Sequence, residues 1–146
     1  MPGSSPAKRD HNLMKKVSIV GFGRFGKVLY RLLRNDFLIT VYTRKATAPD
    51  SEHLNAMRTT NIRDIYKSDV IFFAVPIEAF EAVINRHKKY FQPRHVLIDV
   101  LSVKLYPEKI FRKHLKGMQT QAILTHPMFG PDSSKEGFAE LPMIMD

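Results

Sequence analysis

The chain has 146 residues, 44% of them hydrophobic and 25% charged, with a formal net charge of +9 and no cysteine. That length and composition describe one domain able to bury a core, without disulfides, thiolate metal ligands or cysteine nucleophiles. No apolar run approaches the roughly 18 residues of a membrane span and the opening residues have no hydrophobic signal core, so the expectation is a soluble, cytoplasmic protein with no membrane partner. The Lys and Arg residues are dispersed rather than blocked with interleaved aromatics, which disfavours a nucleic-acid partner and suits solvated helix faces, with some attraction for polyanions.

Residues 1–14, with Pro2, Gly3, Ser4, Ser5 and Pro6, read as a disordered tail or an expression remnant, and 15–146 as a single domain. Residues 17–20 are a short continuous apolar run ending at Gly21, as in a strand buried on both faces of a parallel sheet. Residues 24–34 carry Phe25, Val28, Leu29, Leu32 and Leu33 at helical spacing. A β-branched and aromatic strand follows at 37–43, then short helices at 51–57 and 62–66. The apolar strand 70–75 ends at Pro76, which cannot donate to a ladder. A helix at 77–90 places Lys88 and Lys89 near its negative end. A strand at 96–100, a helix at 107–115 with Pro107 in its first turn, a strand at 122–124 and the start of another at 141–145 complete the chain.

Strands alternating with helices predict a doubly wound, Rossmann-type α/β domain with a mostly parallel sheet. Ligands of such sheets bind at the carboxyl ends of the strands, where the informative segments fall. In Gly21-Phe22-Gly23-Arg24-Phe25-Gly26 the first glycine permits a tight turn, the second lets backbone approach a pyrophosphate, and the third allows close packing of helix on strand. The helix N-terminus then offers N–H groups and a positive dipole end to phosphates. The alternative, a merely structural glycine turn, is weakened by its place at a strand-to-helix junction. At the end of the second strand an NAD site usually carries an acid; here stand Thr43, Arg44 and Lys45. A guanidinium and an ammonium suit a 2′-phosphate, so NADP is expected over NAD, the other reading being a solvated basic loop.

Of six histidines none pairs at metal-ligand spacing, so no metal site is expected. His11, His53, His87, His95 and His114 read as surface residues. His126 differs, lying in a Pro- and Gly-bounded loop just after an apolar run at the binding edge, where it is a candidate general base. Val75 and Pro76 either wall the nicotinamide or ribose pocket or simply end their strand. Asp99 caps a turn, and Lys104 is a surface or phosphate-side cation.

Gly21 to Gly26, Asp99-Val-Leu-Ser-Val-Lys104 and Thr125-His-Pro-Met-Phe-Gly-Pro131 together resemble the nucleotide-binding domain of the prephenate and arogenate dehydrogenases of tyrosine biosynthesis, especially the plant-like arogenate enzymes. The resemblance implies oxidative decarboxylation of prephenate or arogenate. His126 takes the proton from the ring C4 hydroxyl while hydride leaves C4 for the nicotinamide, and the ring carboxylate departs as carbon dioxide. Ser102 is implied to hydrogen-bond both the histidine and the substrate hydroxyl. In the family a helical C-terminal domain dimerises and closes the site; the chain is expected to lack it, and hence to bind NADP with little activity alone and to form a homodimer only with that domain. Competing readings are another NADP-dependent dehydrogenase such as a β-hydroxyacid dehydrogenase, a non-catalytic NADP sensor or interaction module, and a nucleic-acid binder.

Overall fold

The structure, a computed structural model, describes residues 14–44, 57–127 and 143–145, with 126, 127 and 143–145 described as backbone only. Strand β1 (Lys16–Val20) leads through α1 (Arg24–Leu33) to β2 (Leu38–Tyr42). Strand β3 (Met57–Thr59) and helix α2 (Ile62–Ile65) precede β4 (Val70–Phe73), and α3 (Ile77–His87) runs into a 3-10 turn at Lys88–Tyr90. Strand β5 (Val96–Asp99), helix α4 (Leu105–His114), strand β6 (Gln121–Pro127) and strand β7 (Met143–Met145) follow.

The strands form one sheet in the order β3-β2-β1-β4-β5-β6-β7. All neighbours pair in parallel except β6 and β7, which are antiparallel. Chain order therefore reverses direction between β1 and β4, the switch point at which doubly wound sheets open a crevice. Helices cover both faces, which is why the central strands are apolar without alternation. Ile19 and Val41 pack with Leu29 and Tyr30 of α1, whereas Val20 and Phe73 pack with Phe80, Ile84 and Phe111 of α3 and α4. Successive residues of one strand thus feed opposite cores, as the two-residue period of a strand requires. Ser18, polar and fully buried in β1, donates its hydroxyl to Ile65 O at 2.8 Å and lies 2.8 Å from Ser68 Oγ, so its burial carries no unpaired group.

Several expected elements differ. The helix expected at 51–57 gives way at its end to β3; residues 51–56 lie outside the described residues. Met57, Arg58 and Thr59 pair with Thr40, Val41 and Tyr42, so the edge of the sheet captures a segment too short to show strand periodicity. Strand β6 continues past 122–124 through His126, whose backbone is paired with Ile144 rather than lying in a loop. The antiparallel partner supplied by β7 extends it.

Three of the histidines expected at the surface are inside. His87 and His95 are fully buried and His114 nearly so. His95 Nδ1 accepts from Gln92 N at 2.9 Å and its Nε2 lies 2.9 Å from Tyr66 O, so the ring fastens α2 to the turn before β5. His114 Nε2 lies 2.9 Å from Glu81 Oε2 and ties α4 to α3. Helical or turn spacing puts each ring on an inward face, which the basic neighbours disguise in the sequence.

Candidate functional site

The glycine turn sits where β1 hands over to α1. Gly21 has φ +97°, and a Cβ there would lie 2.4 Å from Ala74 O, so the turn presses against the end of β4. A Cβ on Gly26 would lie 2.4 Å from Gly21 O, which brings α1 down onto the turn. At Gly23 a Cβ would meet nothing within 4 Å: the backbone faces open space at the mouth of the helix. Helix α1 begins there without a side-chain cap and without an acidic residue in its first turn. An α-helix does not itself bond its first N–H groups, so this end presents donors and the positive dipole end to the opening. A diphosphate fits that cradle in shape and sign.

A cleft of about 1110 Å³ opens above the switch point. It gathers Gly21, Phe22, Gly23, Arg24 and Phe25 from the turn, Thr43 and Arg44 from the end of β2, Val75 and Pro76 from the end of β4, and Ser102 from the loop after β5. Gly26 supports the turn from beneath, and Lys45 lies outside the described residues. Val75 and Pro76 wall the cleft but do not end the strand expected at 70–75: β4 stops at Phe73, and Pro76 stands at the N-terminus of α3.

Sequence reasoning missed Lys27, Arg58, Arg86 and His87 in this lining. Ala79, Ala82, Val83 and Arg86 are spaced i, i+3, i+4 and i+7 on α3, a face that helical periodicity could have pointed out. Arg58 was hidden by the misreading of β3; its guanidinium carbon lies 5.2 Å from the centre of the Phe22 ring. With Arg24, Lys27, Arg44 and Arg86 it makes the charged lining wholly cationic among the described residues.

At the other end of the cleft, the loop carrying Ser102 is pinned from both sides. Asp99, fully buried at the end of β5, accepts from Leu101 N at 2.9 Å and from Lys104 Nζ at 2.9 and 3.0 Å. Lys104 Nζ also donates to the carbonyl of Thr125, whose hydroxyl donates to Asp99 O at 2.6 Å. Burial pushes the Asp99 carboxyl upward, and the Lys104 ammonium and the Leu101 N–H pull it back. Lys104 is therefore an internal strut, not the surface or phosphate-side cation expected, while the turn-capping role of Asp99 is present. Ser102 is thereby held between Asp99 and Lys104, and β6 is fastened at the residue before His126. The His126 side chain lies outside the described residues; its backbone stands on the strand next to β5.

No described helix is long and apolar enough to cross a membrane, and no group of three or more His, Asp or Glu among the described residues could hold a metal.

Parallel sheet, switch-point cleft, glycine turn and helix mouth define a dinucleotide-binding domain of the doubly wound class. The chain belongs to the family of prephenate dehydrogenase nucleotide-binding domains, whose signature matches residues 26–145. It is 31% identical over 135 residues to arogenate dehydrogenase 2, chloroplastic, of Arabidopsis thaliana, a match covering 90% of this chain and 37% of that protein. With arogenate dehydrogenase 1, chloroplastic, of the same plant it shares 30% over 135 residues, covering 90% of this chain and 21% of that one. The crystal structure of Synechocystis arogenate dehydrogenase shares the fold, with a TM-score of 0.72 at 20% identity over 89% of this chain and 49% of that chain. The chain thus spans well under half the length of the curated relatives it matches.

Proposed function

We propose that this chain is the NADP-binding domain of an oxidoreductase that carries out the oxidative decarboxylation of prephenate or arogenate. The observation that carries the cofactor reading is the cleft lining: a glycine turn open at Gly23, Arg44 at the tip of β2, Arg58 and Arg86 in the same lining, and no carboxylate among the described lining residues. A carboxylate at the tip of β2 would favour a ribose 2′-hydroxyl, whereas guanidinium groups there favour a 2′-phosphate through charge-assisted, bidentate hydrogen bonds. The diphosphate would rest on the backbone of Gly21 to Phe25, the 2′-phosphate against Thr43 and Arg44, and the nicotinamide toward Val75, Pro76 and Ser102. Lys45 belongs to the same phosphate set.

The nicotinamide supplies the hydride acceptor. In this reading His126 takes the proton of the substrate hydroxyl, an imidazole with near-neutral pKa being suited to the task. Ser102 donates to or accepts from the same hydroxyl and orients the histidine. Full turnover requires the remaining length found in the relatives, which the family resemblance assigns to a helical dimerisation domain.

Calorimetric titration of the chain with NADP and NAD tests the cofactor reading. NADP is expected to bind more tightly, and Arg44→Asp to weaken NADP by at least tenfold while NAD changes little; equal losses for both would overturn the 2′-phosphate assignment. For the chemistry, His126→Asn in a protein carrying the relatives' whole length should abolish turnover with NADP affinity retained. Unchanged turnover would remove the histidine from the mechanism.

A further inference from the structure

His87, at the last turn of α3, lines the cleft yet is fully buried as a residue. Its Nδ1 lies 2.7 Å from the hydroxyl of Tyr66. Burial drives the Tyr66 phenol far above its ordinary pKa, so the hydroxyl keeps a proton that it can donate to Nδ1. Burial also lowers His87 to about 4, which leaves the ring neutral at physiological pH. A neutral imidazole that accepts at Nδ1 carries its proton on Nε2. That Nε2 is buried and hydrogen-bonded to no described residue, the kind of unpaired group that native structures rarely leave.

The placement points to one half of the dinucleotide. Tyr42, which ends β2 and lines the same cleft, meets the His87 ring edge-on at 5.8 Å between centroids. The tip of β2 is where the adenosine ribose of a bound dinucleotide belongs. Beside it the cleft wall is the small apolar face of α3 formed by Ala79, Ala82 and Val83, which leaves room for a flat ring. We propose that the Nε2–H of His87, held in that tautomer by Tyr66, donates a hydrogen bond to an acceptor nitrogen of the purine base, making the pair a base-selecting element of the dinucleotide site. The proposal rests on the cofactor reading given above.

The test uses two half-ligands on the full chain: adenosine 2′,5′-bisphosphate and nicotinamide mononucleotide. Because His87→Phe alone strands the Tyr66 hydroxyl, the informative variant is the double Tyr66→Phe, His87→Phe, which replaces both polar partners by apolar rings. It should weaken adenosine 2′,5′-bisphosphate about fivefold and leave nicotinamide mononucleotide unchanged, the loss expected for one neutral hydrogen bond. In the wild-type chain labelled with nitrogen-15, the His87 Nε2 resonance should shift on adding adenosine 2′,5′-bisphosphate and stay put with the mononucleotide. Unchanged affinity in the double variant, or a stationary Nε2 resonance in a wild type that binds the bisphosphate, overturns the role of His87. A wild type that fails to bind the bisphosphate at all overturns the cofactor reading instead.

Discussion

Lys104 Nζ touches both carboxylate oxygens of Asp99, at 2.9 and 3.0 Å, and reaches across to the carbonyl of Thr125. Five residues apart in sequence, the pair closes the loop that displays Ser102 and ties it to the strand that continues into His126. Lys104→Met leaves the Asp99 carboxylate buried with one charge partner fewer. Removing one member of such a pair costs about 3 kcal/mol. Urea unfolding at pH 7 should show a loss of that size, and Asp99→Asn in the Lys104→Met background should recover part of it. If Lys104→Met unfolds at the wild-type midpoint, the strut contributes nothing.

Gly21 and Gly23 of the turn should separate by what surrounds them. Gly21→Ala places a Cβ against Ala74 O at a positive φ and is expected to lower stability by about 2 kcal/mol or more. Gly23→Ala meets no protein atom, so its melting temperature should stay near wild type while NADP affinity falls by at least about tenfold, consistent with a backbone that must come close to the pyrophosphate. Thermal melts paired with calorimetry read both quantities. A Gly23→Ala chain that binds NADP normally would mean that the helix mouth is not the diphosphate site.

Acid should weaken the fold before the carboxylates titrate. His87 has an ordinary pKa of 6.5 and is lowered to about 4 in the fold by burial, followed by the charge of Arg86. Between those values the unfolded chain binds a proton that the folded chain refuses. The stability is fully present above pH 6.5 and is lost as pH falls toward 4, with an upper bound of about 3 kcal/mol from this group. His95, lowered mainly by burial, acts in the same direction. The urea midpoint should therefore drop between pH 7 and pH 4.5, and the Tyr66→Phe, His87→Phe chain should show a shallower drop.

Phe80, fully buried on α3, meets Phe73 and Phe111 edge-on at centroid distances of 6.4 and 5.4 Å. Phe80→Ala removes the ring that joins β4, α3 and α4, and losses of about 3 to 5 kcal/mol are usual for such a change. Circular dichroism in urea at 25 °C should show a loss in that range. A loss below about 1 kcal/mol would show that the core collapses into the gap.

The glycine turn was legible because each of its constraints is local: a strand of apolar residues, a positive φ and a helix start within ten positions. Ser102 could be placed at a strand end for the same reason, as could Arg44. His87 was not legible, since Lys88, Lys89 and Arg86 surround it in sequence and only the packing of α3 on the sheet turns its ring inward. Lys104 was misjudged for a related reason: its partner carbonyl at Thr125 lies 21 residues away along the chain, and no spacing rule brings them together. Strand β3 escaped because three residues carry no period of their own and take their form from hydrogen bonds to β2.

By itself, then, the amino-acid order determined the alternation of strands and helices, the doubly wound class and the glycine turn, all consequences of hydrophobic period and of backbone limits that act over a few residues. Tertiary structure alone decided which cations share the cleft, which histidines are buried, and which cation ties the Ser102 loop to the neighbouring strand. Those depend on distances between segments far apart in the chain, and burial and electrostatic pairing act through distance in space, not through position in sequence.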